Sequence, residues 1–219
     1  MKFNQEIWGQ VLKKLEDAQN TWVVYTPSQI ERGDVGLPDK GLRPWSVPRN
    51  TGRFLHDIVR EMGAEQVLEL GTSIGYSTLW MAAALAEKDG NIVTIEREPS
   101  KYTYAKEKAV ACGLDKAITF HHGEILDVLQ KSQEEKWDLV FFDAEKGQYH
   151  IYFPIILKQL SEKGICVFDN IDTHPQKFSK LFELFKTIPD LSYLHICNDN
   201  GLLLVARNHI KFPRIAFSD

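Results

Sequence analysis

From residue 66 onward the chain alternates short apolar runs, rich in β-branched and aromatic residues, with longer stretches of helical composition, and this repetition narrows the fold more than any other feature. Residues 66–70, 91–96, 117–121, 138–142 and 164–168 read as strands. Between them, residues 76–87, 99–112, a short segment from Glu124, and 152–159 read as helices. Units of this kind build an α/β fold whose parallel sheet is covered by helices on both faces. A helix over 176–186 follows, and two more apolar runs, 191–196 and 202–206, are joined by Cys197-Asn-Asp-Asn-Gly201, whose Asn and Gly suit a tight turn. They predict a closing antiparallel hairpin.

Ahead of the repeat, Phe3, Ile7, Val11, Leu12 and Leu15 mark one face of an amphipathic helix over residues 3–19. Residues 26–50 lose all periodicity and hold four prolines, three glycines and Trp45, which predicts an ordered loop. No later shift in composition marks a second domain, so residues 1–219 are read as one. A net charge of −4 gives no basic footprint for nucleic acid, and no stretch is apolar enough to span a membrane. The three cysteines, Cys112, Cys166 and Cys197, lie far apart among apolar residues and read as core thiols of a cytoplasmic protein.

Two of the expected strands run straight into carboxylates. Leu139-Val-Phe-Phe142 leads into Asp143-Ala-Glu-Lys146, and Ile165-Cys-Val-Phe168 leads into Asp169-Asn170. Open α/β sheets hold their ligands beyond the carboxyl ends of the strands, and two Asp with an Asn form a hard oxygen set suited to Mg²⁺ or Ca²⁺.

The first strand ends in Gly71-Thr-Ser-Ile-Gly75-Tyr-Ser77, a glycine turn that brings backbone close to a ligand. Its spacing is Gly-x-x-x-Gly, unlike the Gly-x-Gly-x-x-Gly of dinucleotide enzymes. Glu96 ends the next strand, where an acidic side chain meets ribose hydroxyls in Rossmann-like folds. A ribose without a pyrophosphate favours S-adenosylmethionine over NAD.

With Gly123-Glu124 and Asp143-Ala-Glu-Lys-Gly-Gln-Tyr149 added, these motifs make the chain resemble the cation-dependent O-methyltransferases, which include the catechol and caffeoyl-CoA O-methyltransferases, from about residue 45 to 207. The resemblance implies a Rossmann-like class I methyltransferase fold with a mainly parallel seven-stranded sheet. It implies S-adenosylmethionine and a divalent cation, Mg²⁺ ahead of Ca²⁺ or Mn²⁺, as cofactors. Glu69, Gly71 and Ser77 would line the methionine end, with backbone from Val47 and with Thr72, Ser73, Gly75 and Tyr76 of the same turn. Glu96 and its neighbour Arg97 would serve the ribose, and Gly123 and Glu124 the adenine. Asp143, Asp169 and Asn170 would hold the metal, Asp143 also meeting the methionine amino group. Lys146 would be catalytic at the reacting hydroxyl, with Trp45 and Asn170 beside the substrate.

Glu145 stands where the commoner spelling of this motif is Asp, at a position that is not a ligand. The connection at residues 171–175 is shorter than the glycine-containing insertion of many relatives and predicts a more open acceptor pocket. The expected acceptor is a small catechol-like or hydroxylated phenylpropanoid molecule, and a homodimer is expected. A second reading is methylation of 5-hydroxyuridine in tRNA, with Lys40, Arg43, Arg49 and Arg53 as its clearest cations. A third is a non-catalytic S-adenosylmethionine-binding module. His121-His122 reads as solvated or as packing beside the adenine, and Tyr149 as packing.

Overall fold

A computed structural model describes residues 2–23, 45–132 and 134–215. Its centre is a seven-stranded sheet in the order β3-β2-β1-β4-β5-β7-β6. The strands are β1 (Gln66–Leu70), β2 (Asn91–Glu96), β3 (Ile118–His122), β4 (Trp137–Phe142), β5 (Leu160–Asp169), β6 (Leu191–Ile196) and β7 (Leu202–Arg207). The first five are mutually parallel, and β7 pairs antiparallel with both β5 and β6. The expected class I methyltransferase architecture is therefore present, including the closing hairpin.

The period-two alternation of the strands divides the core into two layers. Val67, Ile92, Leu139, Phe141, Ile165 and Val167 face one side, against α1 (Gln5–Val23), α2 (Arg49–Glu61), α3 (Tyr76–Leu85) and the end of α4 (Pro99–Cys112). Leu68, Leu70, Val140, Phe142, Cys166 and Phe168 face the other, against α5 (Ile125–Lys131), α6 (Tyr149–Gln159) and α7 (Ser179–Thr187). β4 is buried along its whole length, which is why its sequence is a continuous apolar run rather than an alternating one.

Several expected boundaries move. Helix α2 was not foreseen: Pro48 fixes its N-cap, and Phe54, Leu55, Ile58 and Val59 bury one face against α3. Helix α6 begins at Tyr149 rather than 152, and β5 begins at Leu160, four residues early, because Leu160 already pairs with Trp137 ahead of a bulge that precedes the Leu139–Ile165 pair. Cys112 and Cys166 are buried as expected, but Cys197 is exposed, because it lies beyond the last paired residue of β6 and so escapes the core. Residues 26–44 of the expected loop lie outside the described residues. No described helix is long and apolar enough to cross a membrane.

Candidate active site

Strand register gathers the sequence-marked residues on one edge. Leu70 pairs with Ile95 and Phe142, Phe142 with Phe168, and Glu96 with His122, so Gly71, Asp143, Asp169, Glu96 and Gly123 leave the sheet side by side. Beneath the two aspartates, the rings of Phe142 and Phe168 stack with centroids 4.1 Å apart, closing the site floor to water.

The glycine turn is tied down by its neighbours. The N–H groups of Gly71 and Thr72 donate to the Ile95 carbonyl at 3.1 and 3.2 Å, and Asp143 N–H donates to the Leu70 carbonyl at 3.0 Å. Gly71 has φ +99°, and a Cβ there would lie 2.6 Å from the Asp143 carbonyl oxygen. Only glycine lets β1 and β4 stay this close as they leave the sheet.

Glu69 sits under this turn with no exposed surface. Its carboxylate accepts from Ser77 Oγ (2.5 Å), Thr78 Oγ1 (2.5 Å) and Thr94 Oγ1 (2.6 Å), and Thr72 Oγ1 joins the cluster 2.5 Å from Thr94 Oγ1. Burial pushes its pKa up to about 7 despite the three hydroxyl donors. Thr72 thus turns its side chain inward, and Tyr76 turns its own away to donate to Glu16 of α1 at 2.5 Å, leaving backbone as what these two offer the edge. Val47 is likewise buried.

At the β2 end, Glu96 Oε2 accepts from Ser73 N–H at 2.7 Å and Oε1 from Glu98 N–H at 2.9 Å. Ser73 is held at φ +48°, and its hydroxyl is buried with no hydrogen-bond partner. Gly123 N–H donates to the Glu96 carbonyl at 2.9 Å, which brings Gly123 and Glu124 to the same place. Arg97 is exposed; its carbonyl meets His122 Nε2 at 3.0 Å, so that histidine makes a surface contact.

The acidic pair shows the clearest unmet demand. Asp169 is 2% exposed, and its Oδ1 is buried with no hydrogen-bond partner. Burial and the adjacent charge of Asp143 push its pKa up to about 8. Burial also raises Asp143, opposed by Lys146, whose Nζ lies 3.2 Å from Asp143 Oδ1 and 3.3 Å from the Ala144 carbonyl. Asn170 follows at φ +67°, a left-handed conformation that asparagine tolerates. A buried carboxylate with one lone oxygen, a half-buried carboxylate and an adjacent amide are an all-oxygen donor set, and they fit a hard divalent cation.

Around this centre the other readings sort themselves. Tyr149 is buried, receives Ala144 N–H at 2.8 Å and donates to the Ala144 carbonyl at 3.1 Å, a packing role that fixes the loop carrying Lys146. Glu145 is committed to Lys177, 3.8 Å away. Trp45 is 64% exposed, so it does not anchor its loop in the core; Lys101 Nζ lies 5.0 Å from its ring centroid. A groove of about 870 Å³ lined by Asp138, Ser161, Lys163 and Arg207 lies at the opposite edge of the sheet, where Asp138 is occupied by Glu65 N–H, Gln66 N–H and Ser161 Oγ.

A family model described as O-methyltransferase matches residues 36–176. The chain belongs to the O-methyltransferase family. Over 166 residues, 74% of this chain and 75% of its relative, this O-methyltransferase is 35% identical to a catechol O-methyltransferase of Niastella koreensis. It is 33% identical to a caffeoyl-CoA O-methyltransferase of Populus kitakamiensis over 129 residues, 57% of this chain and 54% of that one. The solved structure of the O-methyltransferase TomG from Streptomyces achromogenes, in complex with S-adenosylmethionine, superimposes with a TM-score of 0.69 at 29% identity, covering 88% of each chain. As a member of the family, this O-methyltransferase uses S-adenosylmethionine.

Two residues of this O-methyltransferase's site had no signal in sequence. Asp199, on the β6–β7 turn, adds to the charge that raises Asp169, and is held by Thr51 Oγ1 at 3.3 Å and Asn50 Nδ2 at 3.4 Å. Lys101, on the first turn of α4, is buried, and its charge lowers Asp143. Neither neighbours the motifs in sequence; only the fold of the O-methyltransferase brings them near.

Proposed function

We propose that this O-methyltransferase transfers the methyl group of S-adenosylmethionine, with a divalent cation, to a hydroxyl of a small catechol-like or hydroxylated phenylpropanoid acceptor. The observation that carries the reading is the buried Oδ1 of Asp169, without a hydrogen-bond partner, beside Asp143 and Asn170 where the strands leave the sheet.

In this reading Glu96 holds the ribose hydroxyls, and Gly123 and Glu124 flank the adenine. The turn from Gly71, with backbone of Val47, receives the methionine end, while Glu69 supports the turn from beneath through Ser77, Thr78 and Thr94. Asp143, Asp169 and Asn170 hold the cation, Mg²⁺ ahead of Ca²⁺ or Mn²⁺. When bound, a divalent cation supplies the charge that makes an acceptor hydroxyl acidic near neutral pH. Lys146, with Nζ 3.2 Å from Asp143 Oδ1, faces the reacting hydroxyl: in its neutral form it takes the hydroxyl proton, and in its charged form it stabilises the oxyanion. The acceptor oxygen forms its bond to the methyl carbon as the donor's sulfur–carbon bond breaks, leaving a neutral thioether. Holding the two reactants in line is worth roughly 7–11 kcal/mol of the barrier in favourable cases.

Pairing of the candidate nucleic-acid cations supports a small acceptor over tRNA: Arg49 lies 3.2 Å from Glu16, and Arg53 lies 4.0 Å from Asp57. Lys40 and Arg43 lie outside the described residues. Lys146 beside Asp143 supports turnover over a non-catalytic binding module. We further take residues 1–219 as one domain in a homodimer of the cytoplasm, a reading supported by exposed Tyr193 and Leu194 on edge strand β6 and by the exposed thiol of Cys197. The deciding experiment offers labelled S-adenosylmethionine and Mg²⁺ with a catechol panel or with tRNA. Label is expected in the catechols; label in tRNA alone, or in neither, would overturn the reading.

A further inference from the structure

Among the described residues, one group of histidine, cysteine and carboxylate side chains brings its ligand atoms together: Asp172, His195 and Cys197, whose candidate atoms all lie within 4.8 Å of one another. All three are exposed, and none belongs to the oxygen set of Asp143, Asp169 and Asn170. We propose that Asp172, His195 and Cys197 form a second cation site, selective for a borderline-soft ion such as Zn²⁺, that fastens the connection after Asn170 to the β6–β7 hairpin.

The donor chemistry sets the ion. One thiolate, one imidazole and one carboxylate are typical zinc ligands, and three protein ligands leave a fourth tetrahedral position for water. Zinc bonds of these lengths place ligand atoms roughly 3.3–3.8 Å apart. His195 Nε2 already lies 2.9 Å from Asp172 Oδ1. Small side-chain rotations therefore suffice for all three to reach one ion.

The backbone prepares this meeting. His195 lies one residue before the end of β6 and Cys197 is the first residue after it, and their ligand atoms lie within 4.8 Å of each other. Asp172 is brought to them by two backbone hydrogen bonds, Ile171 N–H to the Gly201 carbonyl at 3.2 Å and Asp172 N–H to the Asn200 carbonyl at 3.0 Å. Gly201, at φ +79°, makes room: a Cβ there would collide with the Asp172 carboxylate. A cation bridging these side chains would tie residues 171–172 to the turn that carries Asp199, beside Asp169.

The test uses the full chain in excess Mg²⁺, which occupies oxygen-only sites, with a reductant that does not chelate metal. Zn²⁺ stoichiometry is measured by equilibrium dialysis, and Co²⁺ replaces Zn²⁺ as a spectroscopic probe of thiolate ligation. Cys112 and Cys166 are buried, so a cobalt–thiolate charge-transfer absorption reports Cys197. One Zn²⁺ per chain is expected, with the cobalt signal abolished in Cys197→Ser. Loss of a group that merely supports a metal ligand costs about 10–100-fold in affinity, so His195→Ala and Asp172→Asn should each cost at least about tenfold. Because the three side chains are exposed, melting temperatures without zinc should match the parent protein. Failure to retain Zn²⁺ in excess Mg²⁺, or a cobalt signal that survives Cys197→Ser, would overturn the proposal, and neither result bears on methyl transfer at the other site.

Discussion

Asp143 and Asp169 end adjacent parallel strands in register, one residue beyond the stacked rings of Phe142 and Phe168, and the charge of Asp143 raises the proton affinity of Asp169. Two carboxylates placed this way above an apolar floor are unfavourable on their own. The fold supplies Lys146 to one of them and leaves an oxygen of the other without a partner. The account of function rests on that asymmetry.

Lys146 should matter to turnover more than to donor binding. Lys146→Ala is expected to lower kcat by about 10²–10⁴-fold while the Kd for S-adenosylhomocysteine stays within a few-fold, since general-base contributions have that size. Steady-state kinetics with calorimetry would check it. An unchanged kcat would remove Lys146 from the mechanism.

Glu96 should govern donor affinity. Hydrogen bonds to a charged group are worth about 1.5–3 kcal/mol each, so Glu96→Gln is expected to weaken S-adenosylhomocysteine roughly tenfold or more. Titration calorimetry reads this directly, and equal affinity in the variant would move the ribose elsewhere.

Gly71→Ala tests the turn. With φ +99° and a Cβ 2.6 Å from the Asp143 carbonyl oxygen, alanine adds about 1–3 kcal/mol of backbone strain and pushes β1 and β4 apart where they leave the sheet. The rise in melting temperature on adding S-adenosylhomocysteine should largely disappear. A full rise in the variant would mean that the donor does not lie on this turn.

Glu69 makes a prediction about stability and pH. Its pKa is about 7 in the fold against 4.5 for an ordinary glutamate, so between these values the folded chain keeps a proton that the unfolded chain releases. The stability this group contributes is therefore greatest at low pH and falls as pH rises through that window, by about 3 kcal/mol. Urea unfolding across pH 4.5–7.5 should show a steeper decline for the parent protein than for Glu69→Gln. Parallel curves would refute the burial argument.

The parts of this molecule that were legible in sequence share one physical cause. Leu139-Val-Phe-Phe142 and Ile165-Cys-Val-Phe168 are buried on both sides, so they had to be apolar throughout, and the first polar residues after them had to lie at the sheet edge. Register then brought Gly71, Glu96, Asp143 and Asp169 together without further information. Helix α2 is weakly marked in sequence because its first turn, Arg49-Asn-Thr-Gly52, follows a proline-rich segment and has weak helix propensity; its signal lies in Phe54, Leu55, Ile58 and Val59. Asp199, Lys101 and the group at Asp172 depend on contacts between distant segments, which periodicity does not record. Cys197 was misplaced for a related reason: the apolar run before it ends one residue too soon to bury it.

The central claim is that the oxygen set of Asp143, Asp169 and Asn170 works only with a divalent cation. Its most direct test is the rate of labelled methyl transfer to a catechol by protein stripped with EDTA, measured before and after adding Mg²⁺. The account predicts near-complete loss of turnover on stripping and full recovery with Mg²⁺, with no recovery in Asp169→Ala; full turnover in EDTA would contradict it.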